Sequence, residues 1–345
     1  MPRMNQLGSK GSTSERKRHH FVSVTYLNAW VSGPAKKLHA YRSDDASKPL
    51  HIRPDEIAFE NYYYSQTRPD GTRDNDSFED LFGGVETHWP TVMKALKIET
   101  LDRAVLHRLY AMVTMMRTRV PAARNYNEEI MTLETRTGLK VFAEMGRLPE
   151  KLKRYENELD TVDIAIERQR TLGKMADDMR SFGDLTLRLG FEILVNDTGV
   201  DFITSDNPVA YFDPSDAGIR HPYINNEKVE LYFPLSPTLA LHGANRLRRF
   251  GQTPRFRTLS DMSKVRSINR ITARFAYGLA FARDRSHDDL IARHSATSPV
   301  LDAKVVRKPK EIQYHIGHRF GARPELLKFR PEQCEGDLSE EDFNL

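Results

Sequence analysis

The run FITSDNPVAYF at residues 202–212 sets Thr204, Ser205, Asp206, Asn207 and Pro208 between two apolar stretches. A carboxylate at the end of a strand can bind a divalent cation, orient a histidine or accept a proton. The same residues also build a tight connection between strands, because Asp and Asn accept from nearby backbone amides and Pro208 forces Asn207 into an extended conformation. The two readings are compatible: a turn can be the device that aims Asp206 at a pocket.

Other polar residues stand where they would be drawn toward a fold. His19 and His20 precede the apolar run FVSV; they read either as an exposed pair or as a site where His20 enters the domain as acid, base or ligand near neutral pH. Glu86 lies on the edge of an apolar helix face between Phe82 and Trp89, and a half-buried carboxylate needs a partner. Arg117, Arg119 and Arg124 flank Pro121, placed to offset a helix dipole or to reach an anion. Farther on, Asn269 borders an apolar stripe, while Arg266, Arg270 and Arg274 recur every four residues as a solvated face or a track for phosphates. No Walker A loop, GxGxxG, GxSxG elbow, HExxH or EF-hand loop occurs, and Ser205 is not in a nucleophile elbow.

The elements that must hold these residues are set by apolar periodicity. HHFVSVTYLNAW predicts a strand entering a short helix, LHAYRS a strand, and NYYYSQ a second strand closed by Pro69-Asp70-Gly71. From Ser77 the period becomes helical, with Phe78, Leu81, Phe82, Val85 and Trp89 on one face, and Pro90 breaks or restarts the helix. Leu101, Val105, Leu109, Met112 and Met116 form a second stripe ending at RTRVP, and residues 122–190 predict two or three further helices punctuated at Gly138, Pro149 and Gly183. The runs FEILVN, DFITS, PVAYF, VELYFPL and TLALHGA are strands by their β-rich, bounded composition. Ser260 caps a helix with Val265, Ile268, Thr272 and Phe275 on one face, and YGLAFAR is a last strand. The fold class expected is α+β: an antiparallel or mixed sheet of N-terminal and C-terminal strands with a central helical block at about 77–190. A single domain is expected over residues 19–330, with a basic tail at 1–18 and an acidic tail at 331–345.

Charge is unevenly spread. The pI is near 9.0; residues 1–18 carry +4, residues 331–345 carry −6, and residues 244–286 hold eleven Arg and Lys against Asp261 and Asp284, a net of +9. Such a segment is the footprint of a surface that meets phosphate, or a solvated run paired with acids from elsewhere. No apolar stretch is long enough to span a membrane and no secretory signal is recognisable, so a cytoplasmic location is the default expectation. The single cysteine, Cys334, excludes an internal disulfide and a cysteine-rich zinc site within this chain.

Together these segments resemble an uncharacterised, mostly bacterial family, domain of unknown function 4238. The likeness rests on HHFVSVTYLNAW, Glu86, RTRVP, FITSDNPV, FPLSP at 233–237 and Asn269, in order along residues 19–285. Ser23 and Val24 stand where the family tends toward Pro and Gln. The resemblance implies a shared pocket and singles out His20, Glu86, Arg117, Asp206, Asn207 and Asn269, a set that fits a hydrolytic or metal-binding site or a buried structural network.

The function expected is a nucleic-acid phosphodiesterase. Glu86 and Asp206 would hold a divalent cation such as Mg or Mn or polarise a water, His20 would transfer protons, and Arg117 would offset phosphate charge. Asn207, Asn269, Arg266, Arg270 and Arg274 would position the substrate. The alternatives are a non-catalytic nucleic-acid or nucleotide binding module using the basic 244–286 segment and N-terminal tail, or a protein-interaction component recruiting partners through its charged tails.

Overall fold

The structure, a computed structural model, describes residues 18–68, 70–186, 188–214, 228–248, 253–308 and 311–322. The basic tail apart from Arg18, the acidic tail, and Arg249 of the basic segment lie outside the described residues. The chain opens with β1 (Arg18–His20), α1 (Val24–Leu27), β2 (Leu38–Arg42), β3 (Leu50–Ile52), β4 (Phe59–Asn61), β5 (Gln66–Thr67) and β6 (Arg73–Asp74). Next come the helices α2 (Ser77–Glu86), α3 (Trp89–Lys97), α4 (Arg103–Thr118), α5 (Pro121–Glu144) and α6 (Arg168–Thr186). The C-terminal part holds β7 (Gly190–Asn196), β8 (Thr204–Ser205), β9 (Ala210–Phe212), β10 (Glu230–Ser236), β11 (Leu239–Ala244), β12 (Arg255–Leu259), α7 (Met262–Phe275), β13 (Leu279–Ala282), α8 (Asp288–His294), β14 (Thr297–Lys308) and β15 (Glu311–Ala322).

The α+β class is as expected, and one sheet joins strands from both ends of the chain. In that four-stranded sheet, ordered β3-β2-β13-β8, the N-terminal β2 pairs with β13 and β13 with β8. A five-stranded sheet, β12-β7-β11-β10-β9, is antiparallel except for the parallel β12-β7 edge. Its strands alternate: Phe191, Ile193, Leu231, Phe233, Leu239 and Leu241 enter the main core beside Trp89, Val92, Leu109, Met112 and Met116 of the helical block. The opposite residues Leu194, Ala240 and Leu259 pack with Val265 and Ile268 of α7. This sheet is therefore buried on both faces, by the helical block and by α7.

Four local expectations change. Tyr62 takes a positive φ of 58° and turns the chain, so NYYYSQ is not a strand but a turn that buries Tyr63 and Tyr64. Trp89 starts α3 instead of continuing α2, with Pro90 in its first turn, where the missing N–H costs nothing. Pro121 likewise opens α5, and neither Gly138 nor Gly183 interrupts its helix. Asp261, not Ser260, caps α7 by accepting from the Ser263 amide. Strand β12 and the β14–β15 hairpin were not anticipated.

The first helical turn locks the two sheets together. Trp30 Nε1 donates to the Phe202 carbonyl at 2.8 Å, and the buried Tyr26 hydroxyl bonds Thr204 Oγ1 at 2.6 Å and the Pro234 carbonyl at 2.7 Å. Removing that hydroxyl strands two buried partners, so Tyr26→Phe is expected to lower unfolding free energy by about 1–2 kcal/mol, read as a shift in urea midpoint with unchanged m-value.

Candidate functional site

The Asp206 and Asn207 side chains of the TSDNP turn are directed at the end of α7 and the start of β13. The Asp206 carboxylate accepts from three successive amides, Tyr277 (2.6 Å), Gly278 (2.6 Å) and Leu279 (2.9 Å), and is 2% exposed. Asn207 Nδ2 donates to the Phe275 carbonyl at the end of α7 at 3.0 Å. Asn269 is fully buried within α7; its Oδ1 accepts from the Ile203 amide and its Nδ2 donates to the Asp201 carbonyl. Charge-assisted bonds of this kind make a buried carboxylate tolerable. Asp206, expected in catalysis or metal binding, and Asn269, expected in substrate positioning, both hold backbone in these contacts.

The expected quartet divides. Glu86 pairs with Arg119, not Arg117: Arg119 Nη1 lies 2.7 Å from Glu86 Oε1, with the guanidinium 1% and the carboxylate 24% exposed. His20 joins that neighbourhood. Burial and, less strongly, Arg119 lower its pKa, while Glu86 opposes the shift. Its Nε2 lies 3.4 Å from the Asp55 carbonyl. The histidine that fully enters the core is His19, whose Nδ1 accepts from the Tyr64 amide at 2.9 Å. Arg117 faces elsewhere, donating to Asn207 Oδ1 at 3.4 Å, its pKa lowered by burial. Residues two apart on a helix point about 200° from each other, which sends the two arginines of RTR to different surroundings. The two carboxylates expected as a metal pair have separate partners, Arg119 for Glu86 and three backbone amides for Asp206. Among the described residues no group of three His, Cys, Asp or Glu is placed to hold a metal ion.

A cleft of about 710 Å³ opens between α7 and the α7-facing side of the five-stranded sheet. Its floor is a row set by strand register, in which His242 sits opposite Glu192 on β7 and Tyr232 on β10. His242 Nδ1 is 2.7 Å from Glu192 Oε1, and its Nε2 is 3.6 Å from Glu230 Oε2. Arg257 grips Glu192 through Nε (3.0 Å) and Nη2 (2.8 Å), Arg246 meets Glu230 at 2.6 Å, and the Tyr232 hydroxyl donates to Glu230 at 2.7 Å. The Tyr232 and His242 rings stack with centroids 4.7 Å apart. Burial opposes charge on Glu192 and Glu230, but the donors around them, His242 and Arg257 bonded to Glu192, and the nearby His242 ring with the bonded Tyr232 hydroxyl at Glu230, outweigh it and hold each carboxyl down to about 2. Burial also opposes charge on His242, and the two carboxylates more than offset it, so its pKa is raised.

The opposite wall is basic. Lys264, Arg270 and Arg274 line the cleft, and among the described residues none of them has an ion-pair partner. Arg274 lies 3.6 Å over the Phe320 ring, and its pKa is lowered by burial and by Arg270. Arg266 is exposed but does not line the cleft; Lys264 takes its place, because helix positions three and four apart, here 264, 267, 271 and 274, share the face. Arg246 and Arg257 belong to the +9 segment, but Glu192, Glu230, Tyr232 and His242 were not anticipated. β7 and β11 each show one titratable residue among apolar ones, and only the register aligns them.

The family comparison fits this architecture. A model for a protein of unknown function, DUF4238, matches residues 18–286, from β1 to just past β13, including the clamp, the cleft floor and α7. The chain belongs to this family. No curated protein and no solved structure matches it. The DUF4238 region thus contains α7 and the turn that anchors it, whereas the β14–β15 hairpin lies beyond it.

Because three amides depend on one carboxylate, Asp206→Ala is expected to destabilise the fold by about 3–5 kcal/mol in urea unfolding, well beyond the effect of losing the Tyr26 hydroxyl. A loss under about 1 kcal/mol would show that the clamp is not what holds α7.

Proposed function

We propose that the protein binds nucleic acid in the cleft between α7 and the five-stranded sheet, with phosphates against the basic wall. The observation that supports this reading is the row Lys264, Arg270 and Arg274, three cations facing one cleft without an ion-pair partner among the described residues. Burial and the neighbouring Arg270 both disfavour the charge on Arg274. A phosphate beside it relieves both costs. The floor, by contrast, balances its carboxylates with Arg246, Arg257 and His242. Of the +9 segment, Arg246, Arg257, Lys264, Arg270 and Arg274 all face this one opening. Its size accommodates one or a few nucleotide units more readily than the groove of a duplex.

Fluorescence anisotropy with labelled single-stranded RNA and DNA tests the reading. Affinity is expected to fall steeply with salt, and replacing both Lys264 and Arg270 by Gln is expected to reduce the log–log slope by about 1.5–2. Binding that is insensitive to salt, or unchanged in the double variant, overturns it.

A second reading, phosphodiester hydrolysis, is favoured by one observation: the partly exposed His20 and Glu86 meet beside the buried Arg119 guanidinium. In it His20, its pKa lowered, is neutral near pH 7 and able to take a proton, and Glu86 orients a water or takes part in holding an added Mg or Mn ion. Arg119 replaces Arg117 as the residue beside the chemistry. On this reading His20→Ala and Glu86→Gln each lower nucleolysis about 100-fold, assayed with and without those ions, while strand binding by anisotropy persists. A third reading, recruitment of protein partners, rests on the charged tails, which lie outside the described residues.

A further inference from the structure

His242 is 2% exposed, and its Nε2 has no hydrogen-bond partner. It is wedged between two carboxylates. Glu192 accepts at Nδ1, so in the neutral ring the proton belongs on Nδ1 and Nε2 is left as an acceptor aimed at another acceptor, Glu230 Oε2 at 3.6 Å. Protonation places an N–H on that line, and both carboxylates then face a donor. The geometry is built for the imidazolium.

That proton changes the charge of the cleft. Along the floor Arg257, Glu192, His242, Glu230 and Arg246 form one chain, which carries no net charge with a neutral imidazole and +1 with an imidazolium. The wall facing it contributes Lys264, Arg270 and Arg274, and Asp213 lies at the edge beside β9. We infer that ligand binding in the cleft is coupled to protonation of His242, so that a phosphodiester strand is held more tightly once the imidazolium has formed. This rests on the nucleic-acid reading above and adds its regulation. Linkage makes the effect mutual: a bound phosphate stabilises the imidazolium, and the imidazolium favours the phosphate.

The direction of the pH dependence is fixed by the site. Its two carboxylates raise the proton affinity of His242 above that of an ordinary histidine, so affinity is highest at and below about pH 6.5 and declines as pH rises through the raised value. Neighbouring groups do not imitate this. Glu192 and Glu230 are ionised throughout, and burial and Glu230 keep the Tyr232 hydroxyl neutral. His294 on α8 faces Arg270 and Arg274, but burial and those arginines lower its pKa, so it loses its proton at lower pH than His242 does. One added charge several ångströms from a phosphate, in a half-solvated cleft, changes affinity by about fivefold.

The experiment measures affinity for an all-adenine DNA strand at constant ionic strength from about pH 6 to pH 9, a range in which its phosphates and bases keep their charge. About a fivefold weakening is expected in the wild type, and a flat profile at the weaker end in His242→Gln, which offers an N–H to Glu192 without the charge. Should that variant not fold, calorimetry of the wild-type complex in two buffers of different ionisation heat counts the protons taken up; a fivefold coupling gives about 0.4 proton near the imidazole pKa and none at low pH. A control, Lys264→Gln, binds more weakly at every pH with the profile unchanged in shape. A pH-independent wild type, or pH dependence that survives in His242→Gln, overturns the coupling while the binding site stands. Absence of binding at every pH removes the nucleic-acid reading and the coupling with it.

Discussion

Everything that gives the cleft its shape depends on one buried carboxylate. Asp206 gathers the amides of Tyr277 and Gly278, in the link after α7, and of Leu279, the first residue of β13. The same turn reaches back through Asn207 to the last carbonyl region of α7, and Asn269, midway along the helix, ties it to the backbone before β8. A helix held at its middle and at its end has little freedom to tilt over the sheet. That matters because the apolar contact beneath it, through Val265 and Ile268, covers only part of the sheet face. The uncovered remainder is the polar floor.

The clamp also explains why the turn carries more polarity than a simple connection requires. Ordinary ST-turn chemistry accounts for Ser205 Oγ accepting from the Asn207 amide. It does not require both a carboxylate and a carboxamide that are almost completely buried. Here each is matched to a different backbone group of opposite polarity, the carboxylate to amides and the carboxamide N–H to a carbonyl. The cost of burying them is thereby offset, and the pairing admits only one position for the helix end.

Much of this fold is legible in the sequence, because one-sided burial writes a period into the chain. The Val265, Ile268, Thr272, Phe275 stripe and the alternation of VELYFPL describe α7 and β10 directly. Strand β12 is obscured because its residues Arg255, Arg257 and Thr258 are exposed at a sheet edge, leaving only Leu259 buried. Tyr62 to Tyr64 look like strand by composition, yet a positive φ at Tyr62 turns them inward. The site is less legible than the fold. Asp206, Asn207 and Asn269 stand out by type, but their roles depend on which backbone they meet. Glu192 and His242 become neighbours only through pairing between strands separated by some fifty residues in sequence, information that no local pattern contains.

The arrangement of charge separates the two chemistries that residue types alone leave merged. On the cleft floor, Glu192 and Glu230 are so strongly stabilised as anions by His242 and their other hydrogen-bond donors that they are poor proton acceptors near neutrality. What they do well is keep Arg246, Arg257 and His242 in fixed positions, so that the two arginines of the floor are compensated, whereas among the described residues the cations of α7 have no ion-pair partner. An anion entering the cleft is therefore drawn to the helix wall. Beside Arg119 the balance is reversed: a single carboxylate on a buried guanidinium sits next to an imidazole held toward its neutral form, which suits proton transfer better than anchoring. Arg117 and Arg119, two residues apart at the end of α4, face these different surroundings, Arg117 toward the Asn207 clamp and Arg119 toward Glu86. One helix thus links the turn that anchors α7 to the Arg119–Glu86 pair beside His20.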